Sequence, residues 1–231
     1  EVNNLQEKNP PTQRFSCAQN CQKLLVLGDS LGQDTFRSLV AAAKKPTEVR
    51  YIYIDDMCLF KIKTRADLEN SNQCHTSKII NSLLENADSI ILASKWEPAT
   101  LIGTSQFIEL LKQNYNSKIF VVGSIVFSSL ESTSIKLYRN GYEQSDLAKI
   151  VYETQRWDLT EASNHLRGLI GLKKDIYWIE KSDFFCSHDK RECNLFDSSG
   201  NPKIWDHVHL TTRSYALFGQ YLYDHLYENE A

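Results

Sequence analysis

Nothing in this chain is both long enough and apolar enough to cross a bilayer. No apolar run exceeds about six residues, where a spanning helix takes about 20. There is no block of like charge either. The 26 basic and 29 acidic residues leave a net charge of −3, which argues against a nucleic-acid partner. Internal repeats and low-complexity segments are lacking, which sets aside solenoids and disordered tails. No secretory leader pattern is visible. The chain starts at Glu1 rather than Met and is expected to be a mature or excised fragment.

What remains is an ordinary globular composition, 42% apolar and 24% charged over 231 residues, enough for one domain with a real core. Residues 1–22 are polar, carry Pro10-Pro11 and read as a linker or lead-in. The domain is expected over 23–231. The six cysteines fall into three local pairs, Cys17 with Cys21, Cys58 with Cys74, and Cys186 with Cys193. Proximity favours those three disulfides, although six cysteines allow about 15 connectivities. Disulfides would imply an oxidising compartment such as a periplasm. Free cytosolic thiols are one alternative. Zinc is a weaker one, because Cys186, His188 and Cys193 would need a fourth ligand from elsewhere.

Apolar runs at 24–28, 89–93 and 118–123 read as buried strands, as do 49–54 and 175–179. Helical patterns at 32–44, 76–86, 104–115, 144–169 and 211–227 alternate with them, with Thr104 or Ser105 as the expected cap of the third. The segment 186–202 reads as a loop. This order predicts an α/β fold with five strands, mostly parallel, and helices on both faces.

Chemistry enters at Gly28-Asp29-Ser30-Leu31, at the end of the first strand, where open α/β sheets place their active sites. A serine hydroxyl needs a base to take its proton, and the base needs a carboxylate to fix its tautomer. Asp206-His207-Val208-His209 supplies both just before the last helix. The three-residue spacing lets Asp206 fold back onto the His209 ring. Ser30, Asp206 and His209 are the candidate catalytic residues. His207 fits the base position less well, and Asp29 is expected to order the turn. A plain strand-to-helix turn with Ser30 as a mere cap is the alternative. The pattern Gly28-x-Ser30-x-Gly32 also matches a nucleophile elbow. That elbow usually lies mid-chain with acid and histidine far apart, so it is disfavoured.

Gly28-Asp29-Ser30-Leu31 and Asp206-x-x-His209 together resemble the first and last blocks of the GDSL/SGNH hydrolase superfamily. The resemblance implies a flavodoxin-like three-layer α/β/α sandwich, with Ser30 as nucleophile, His209 as base and Asp206 as acid. Two departures stand out. No glycine follows the second strand, where Asp55-Asp56-Met57-Cys58 stands, and no asparagine follows the third, where Ala93-Ser94-Lys95-Trp96 stands. A strand ending in a small residue, a basic residue and tryptophan resembles SGNH domains fused to membrane acyltransferase-3 proteins, which also tend to carry cysteines.

That likeness implies a periplasmic O-acetyltransferase domain, tethered through a membrane acyltransferase domain and acting on a bacterial surface glycan. It requires no metal or organic cofactor. Ser94, Lys95 and Trp96 become candidates for the oxyanion or substrate site, with Trp96 equally readable as core. Two rivals remain: a secreted or periplasmic carbohydrate O-acetylesterase, and a non-catalytic glycan-binding module with a degenerate site.

Overall fold

The computed structural model describes residues 15–17, 21–43, 46–54, 58, 61–69, 79–127, 137–138, 140–171, 173 and 175–228. In chain order the elements are β1 (Gln22–Gly28), α1 (Ser30–Ala42), β2 (Thr47–Tyr53), α2 (Arg65–Glu69), α3 (Ile79–Asn86), β3 (Ser89–Ala93), α4 (Leu101–Asn114) and β4 (Lys118–Val122). They continue as α5 (Gln144–Glu153), α6 (Trp157–Ile170), β5 (Ile176–Ile179), α7 (Lys181–Phe185), β6 (Cys186–Ser187), β7 (Glu192–Cys193) and α8 (Ser214–Glu228). Five strands form one parallel sheet in the order β2-β1-β3-β4-β5. This is the flavodoxin-like order, and its direction of winding reverses between β1 and β3. The expected three-layer architecture is therefore the observed one.

Alternation along the strands divides the core between the two sheet faces. Leu25, Leu27, Ile90, Leu92, Ile119 and Val121 face α3, α4 and α6. Leu24, Val26, Ile91, Phe120 and Val122 face α1, α5 and α8. Because both faces are covered, β3 is buried along its whole length and β4 from Ile119 onward, and both read as continuous apolar runs rather than alternating ones.

Two glycines mark where backbones come together. A Cβ on Gly28 would lie 1.8 Å from the Ala93 carbonyl oxygen, so β1 can turn into α1 against the end of β3 only with glycine there. A Cβ on Gly219 would lie 2.0 Å from the Ser38 carbonyl oxygen, so α1 and α8 touch along their backbones.

Three sequence expectations need correction. The long helix over 144–169 is two helices, α5 and α6. Between them Gln155 bridges to Phe127 and Arg156 N–H donates to the Val126 carbonyl at 2.8 Å. The break is required because Leu147 and Val151 pack on one face of the sheet while Ala162, Leu166 and Ile170 pack on the other. The third long helix starts at Leu101 after Thr100, earlier than the expected Thr104 or Ser105. The loop over 186–202 contains a short antiparallel hairpin that pairs Cys186 with Cys193.

Cys17–Cys21 and Cys186–Cys193 are disulfides, which removes the zinc and free-thiol alternatives at these four positions. Cys58 is disulfide-bonded too; its expected partner Cys74 lies outside the described residues. Glu48 on β2 accepts the N–H groups of Ser16 and Cys17 at 2.7 and 2.6 Å, pinning the lead-in to the sheet edge. No helix among the described residues is long and apolar enough to cross a membrane.

Candidate active site

Ser30 is the first residue of α1 and is exposed at the carboxyl end of β1. Asp29 organises its surroundings, as the sequence suggested. Oδ1 caps the helix by accepting the Leu31 N–H at 2.8 Å, and Oδ2 accepts from Ser94 Oγ at 2.9 Å and from the Lys95 N–H at 3.0 Å. The Asp29 carbonyl accepts from Tyr51 OH at 2.8 Å and from the Gln33 N–H at 3.1 Å. One aspartate thereby ties the Ser30 turn to β2 and to the loop after β3. The N–H groups of Ser30 and Gly32 precede the first helical hydrogen bond and have no hydrogen-bond partner among the described residues. They lie at the positive end of the α1 dipole, where developing negative charge is stabilised.

The candidate acid and base meet directly. Asp206 Oδ2 lies 2.6 Å from His209 Nδ1, while Oδ1 accepts the N–H groups of Val208 and His209 at 2.8 and 2.7 Å. This is an Asx-type turn, in which the carboxylate folds back onto its own following residues. Burial would raise the Asp206 carboxyl. The two backbone N–H groups and the imidazole outweigh burial and hold it below the usual carboxylate range. The turn is closed by a bridge between Ile204 and Leu210 and by Trp205 N–H donating to the His209 carbonyl at 3.1 Å. His207 is exposed, and its carbonyl accepts the Phe127 N–H at 2.9 Å.

The two halves are held together by Asp34, a residue that sequence reasoning missed. It lies one helical turn after Ser30 and is only 3% exposed. Its Oδ2 accepts the Leu210 N–H at 2.9 Å, and Oδ1 accepts from Tyr215 OH at 3.1 Å. Arg37 donates to that same hydroxyl at 3.2 Å. Below the site Leu31 and Val208 share a small buried cluster with Val126 and Leu159. Ser30 and His209 are thus carried by segments joined on both sides of them, although no hydrogen bond links Ser30 Oγ to His209 in this structure.

Lys181 was missed as well. It is 3% exposed at the start of α7, with Nζ 5.6 Å from the Phe218 ring centre. Burial pushes its ammonium pKa down, while Asp34, Asp29 and Asp206 oppose that shift. Asp34 shows the reciprocal balance. Burial raises its carboxyl overall, against the pull of Lys181, the Leu210 N–H, His209 and Tyr215.

The segment after β3 is built for support. Ser94 is 1% exposed and Trp96 is wholly buried, its indole N–H donating to the Val122 carbonyl at 2.9 Å. Trp96 takes the core alternative. The Lys95 side chain pairs with Glu97 at 2.7 Å. The Ser94 hydroxyl and the Lys95 N–H are both taken up by Asp29.

The Asp34 clamp has a measurable consequence. Asp34→Ala leaves the buried Leu210 N–H and the Tyr215 hydroxyl without their acceptor, which costs on the order of 2–4 kcal/mol. It also frees the His209 turn, and a displacement of about 1 Å at a reacting group costs about 10²-fold in turnover. Asp34→Asn keeps an acceptor for Leu210 and should lose less on both counts. Thermal denaturation and turnover of p-nitrophenyl acetate check the order native, Asn, Ala. The pH dependence has a definite sign. A carboxyl raised on folding makes the native state bind more protons than the unfolded chain, so this group favours folding as pH falls from its folded pKa toward the unfolded value near 3.8.

Fold and site define an α/β domain of hydrolase type, with an exposed serine after its first strand and a carboxylate–imidazole pair before its last helix. The chain belongs to the family of SGNH domains fused to AT3 domains, whose model matches residues 4–223. It is similar in structure to the periplasmic domain of a lipopolysaccharide acetyltransferase from Salmonella ser. Paratyphi A. The TM-score is 0.62 at 13% identity, over 92% of this chain and 85% of that one. It is also similar to a Streptococcus pneumonia protein provisionally named as a platelet activating factor. There the TM-score is 0.52 at 16% identity, over 93% of this chain and 87% of that one. At such identities the likeness shows the fold. A sequence comparison with curated proteins finds no match. Family membership supports chemistry of the acyl-transfer or hydrolysis type.

Proposed function

We propose that this domain is the extracytoplasmic, catalytic part of a bacterial O-acyltransferase that places acetyl groups on a hydroxyl of a cell-surface glycan. The observation that carries the reading is the Asp206–His209 turn, closed at 2.6 Å and pinned through Leu210 and Asp34 to the helix that begins with exposed Ser30. Family membership with AT3-fused domains supports a membrane acyltransferase partner. The disulfides support a periplasmic location, with the domain tethered to the inner membrane through that partner.

In the proposed reaction His209 Nε2 takes the Ser30 proton as Oγ attacks the acyl carbon. The donor's bond to that carbon breaks, and its leaving group receives the proton from His209. The N–H groups of Ser30 and Gly32 stabilise the oxyanion. In the second half His209 removes the proton of a sugar hydroxyl, the sugar oxygen takes the acyl group, and the proton returns to Ser30 Oγ. Asp206 holds the Nδ1–H tautomer and supports the imidazolium throughout. No residue in this scheme calls for a metal or an organic cofactor.

The test is where acetyl groups go. In cells making the full-length protein, acetate should become ester-linked to surface polysaccharide. Release as free acetate alone would mark an esterase. Binding of the polysaccharide with neither outcome would mark a non-catalytic module.

A further inference from the structure

We propose that Trp205 is the stacking platform for a pyranose ring of the acceptor glycan, an inference that rests on the acyl-transfer reading above and specifies its acceptor side. The three tryptophans whose side chains are described have different surroundings. Trp96 is wholly buried, and Trp178 is part-buried with its indole N–H donating to Glu180 at 2.8 Å. Trp205 is 64% exposed, and its indole N–H has no hydrogen-bond partner among the described residues.

One exposed aromatic residue is ordinary on a protein surface; the location of this one is not. Its ring stacks on that of His209, with centroids 5.5 Å apart and planes inclined by 21°. Asp206 occupies His209 Nδ1, so Nε2 is the nitrogen left to deprotonate an acceptor. Any hydroxyl activated there must come within about 3 Å of Nε2, and the molecule carrying it then lies beside the indole.

The platform is also held in place. Trp205 N–H donates to the His209 carbonyl at 3.1 Å, and Lys203 N–H donates to the Leu195 carbonyl at 2.6 Å. Thr211 N–H donates to the Lys203 carbonyl at 2.9 Å. The backbone on either side of the indole is therefore fixed before ligand arrives.

An indole face carries the negative lobe of its quadrupole and attracts groups with positive partial charge. The axial C–H bonds on one face of a pyranose offer such charge, whereas an acetyl donor of ester or thioester type presents mainly a polar carbonyl. The free indole N–H adds a donor for a ring hydroxyl. The glycan therefore lays one sugar on the open indole face, and a hydroxyl of the neighbouring sugar in the chain reaches Nε2.

The experiment compares Trp205→Ala and Trp205→Phe with the native full-length protein, using de-O-acetylated polysaccharide from the producing cells as acceptor and p-nitrophenyl acetate as a small ester. Trp205→Ala should raise the acceptor KM about tenfold, the effect of losing roughly 1.4 kcal/mol of stacking. Its effect on ester hydrolysis should be several-fold smaller, and Trp205→Phe should recover most of the acceptor affinity. An unchanged acceptor KM, or equal losses in transfer and ester hydrolysis, would overturn the proposal and leave Trp205 as a prop for His209.

A separate readout keeps this inference distinct from the catalytic one. Titration with the same polysaccharide should change tryptophan fluorescence in native protein and in Ser30→Ala, and the change should be lost in Trp205→Phe. If neither transfer nor ester hydrolysis occurs, the catalytic reading fails. The sugar platform then stands or falls on that fluorescence change alone.

Discussion

Ser30→Ala is expected to abolish acetylation of the surface glycan while leaving the fold intact. Loss of the nucleophile in a serine hydrolase lowers kcat by about 10⁶-fold. The structural cost should be small because Ser30 is exposed, stands at the first position of α1, and makes no side-chain hydrogen bond among the described residues. Asp29, not Ser30, caps the helix, so alanine removes no cap. Surface changes of this kind stay within about 0.5 kcal/mol. The check is acetate content of the polysaccharide in cells carrying the variant, alongside a thermal melt of the purified protein. Undiminished acetylation with a native melt would refute the catalytic reading. A fluorophosphonate probe should label native protein at Ser30 and fail on the variant.

Asp206→Asn should come next in size, with about a 10⁴-fold loss in kcat. Asparagine can keep Oδ1 for the N–H groups of Val208 and His209, so the turn survives. Its amide NH₂ then faces His209 Nδ1, where the carboxylate stood. Nδ1 must accept, the ring proton moves to Nε2, and the nitrogen that should take the Ser30 proton is blocked. Asp206→Ala loses the turn as well, so of the two variants it should melt at the lower temperature. Turnover and melting of the two variants separate tautomer control from simple structural support. The native carboxyl is held below its ordinary range, so its contribution to stability is complete above the unfolded pKa near 3.8 and fades as pH falls through the lower folded value. Acid titration of stability should show this contribution in native protein and lack it in Asp206→Asn.

Much of this architecture is legible in the chain. Leu24–Gly28 and Ser89–Ala93 read as buried strands because both sheet faces are covered, leaving no polar alternation to mistake. The Asp206–His209 pair is equally legible, since its geometry closes within a span of three residues. The break between α5 and α6 is not, because no proline or glycine marks it. It exists so that one stretch of chain can serve opposite faces of the sheet. Asp34 and Lys181 are invisible for a related reason. An acid in an amphipathic helix reads as solvated until its partner is known, and the Leu210 N–H lies 176 residues away.

The sequence by itself determined the alternation of the five sheet strands with helices and the acid–histidine turn, and it favoured, without fixing, the local pairs Cys17–Cys21 and Cys186–Cys193. Each depends on periodicity or on contacts a few residues apart. Only the tertiary structure decided that Asp34 would join the Ser30 helix to the His209 turn. It also decided that Ser94 and Lys95 would serve Asp29, that Trp96 would fill the core, and that Trp205 would stand open beside His209. Those outcomes follow from packing between distant segments, where burial and hydrogen-bond partners are assigned by the whole fold and no local window of sequence contains them.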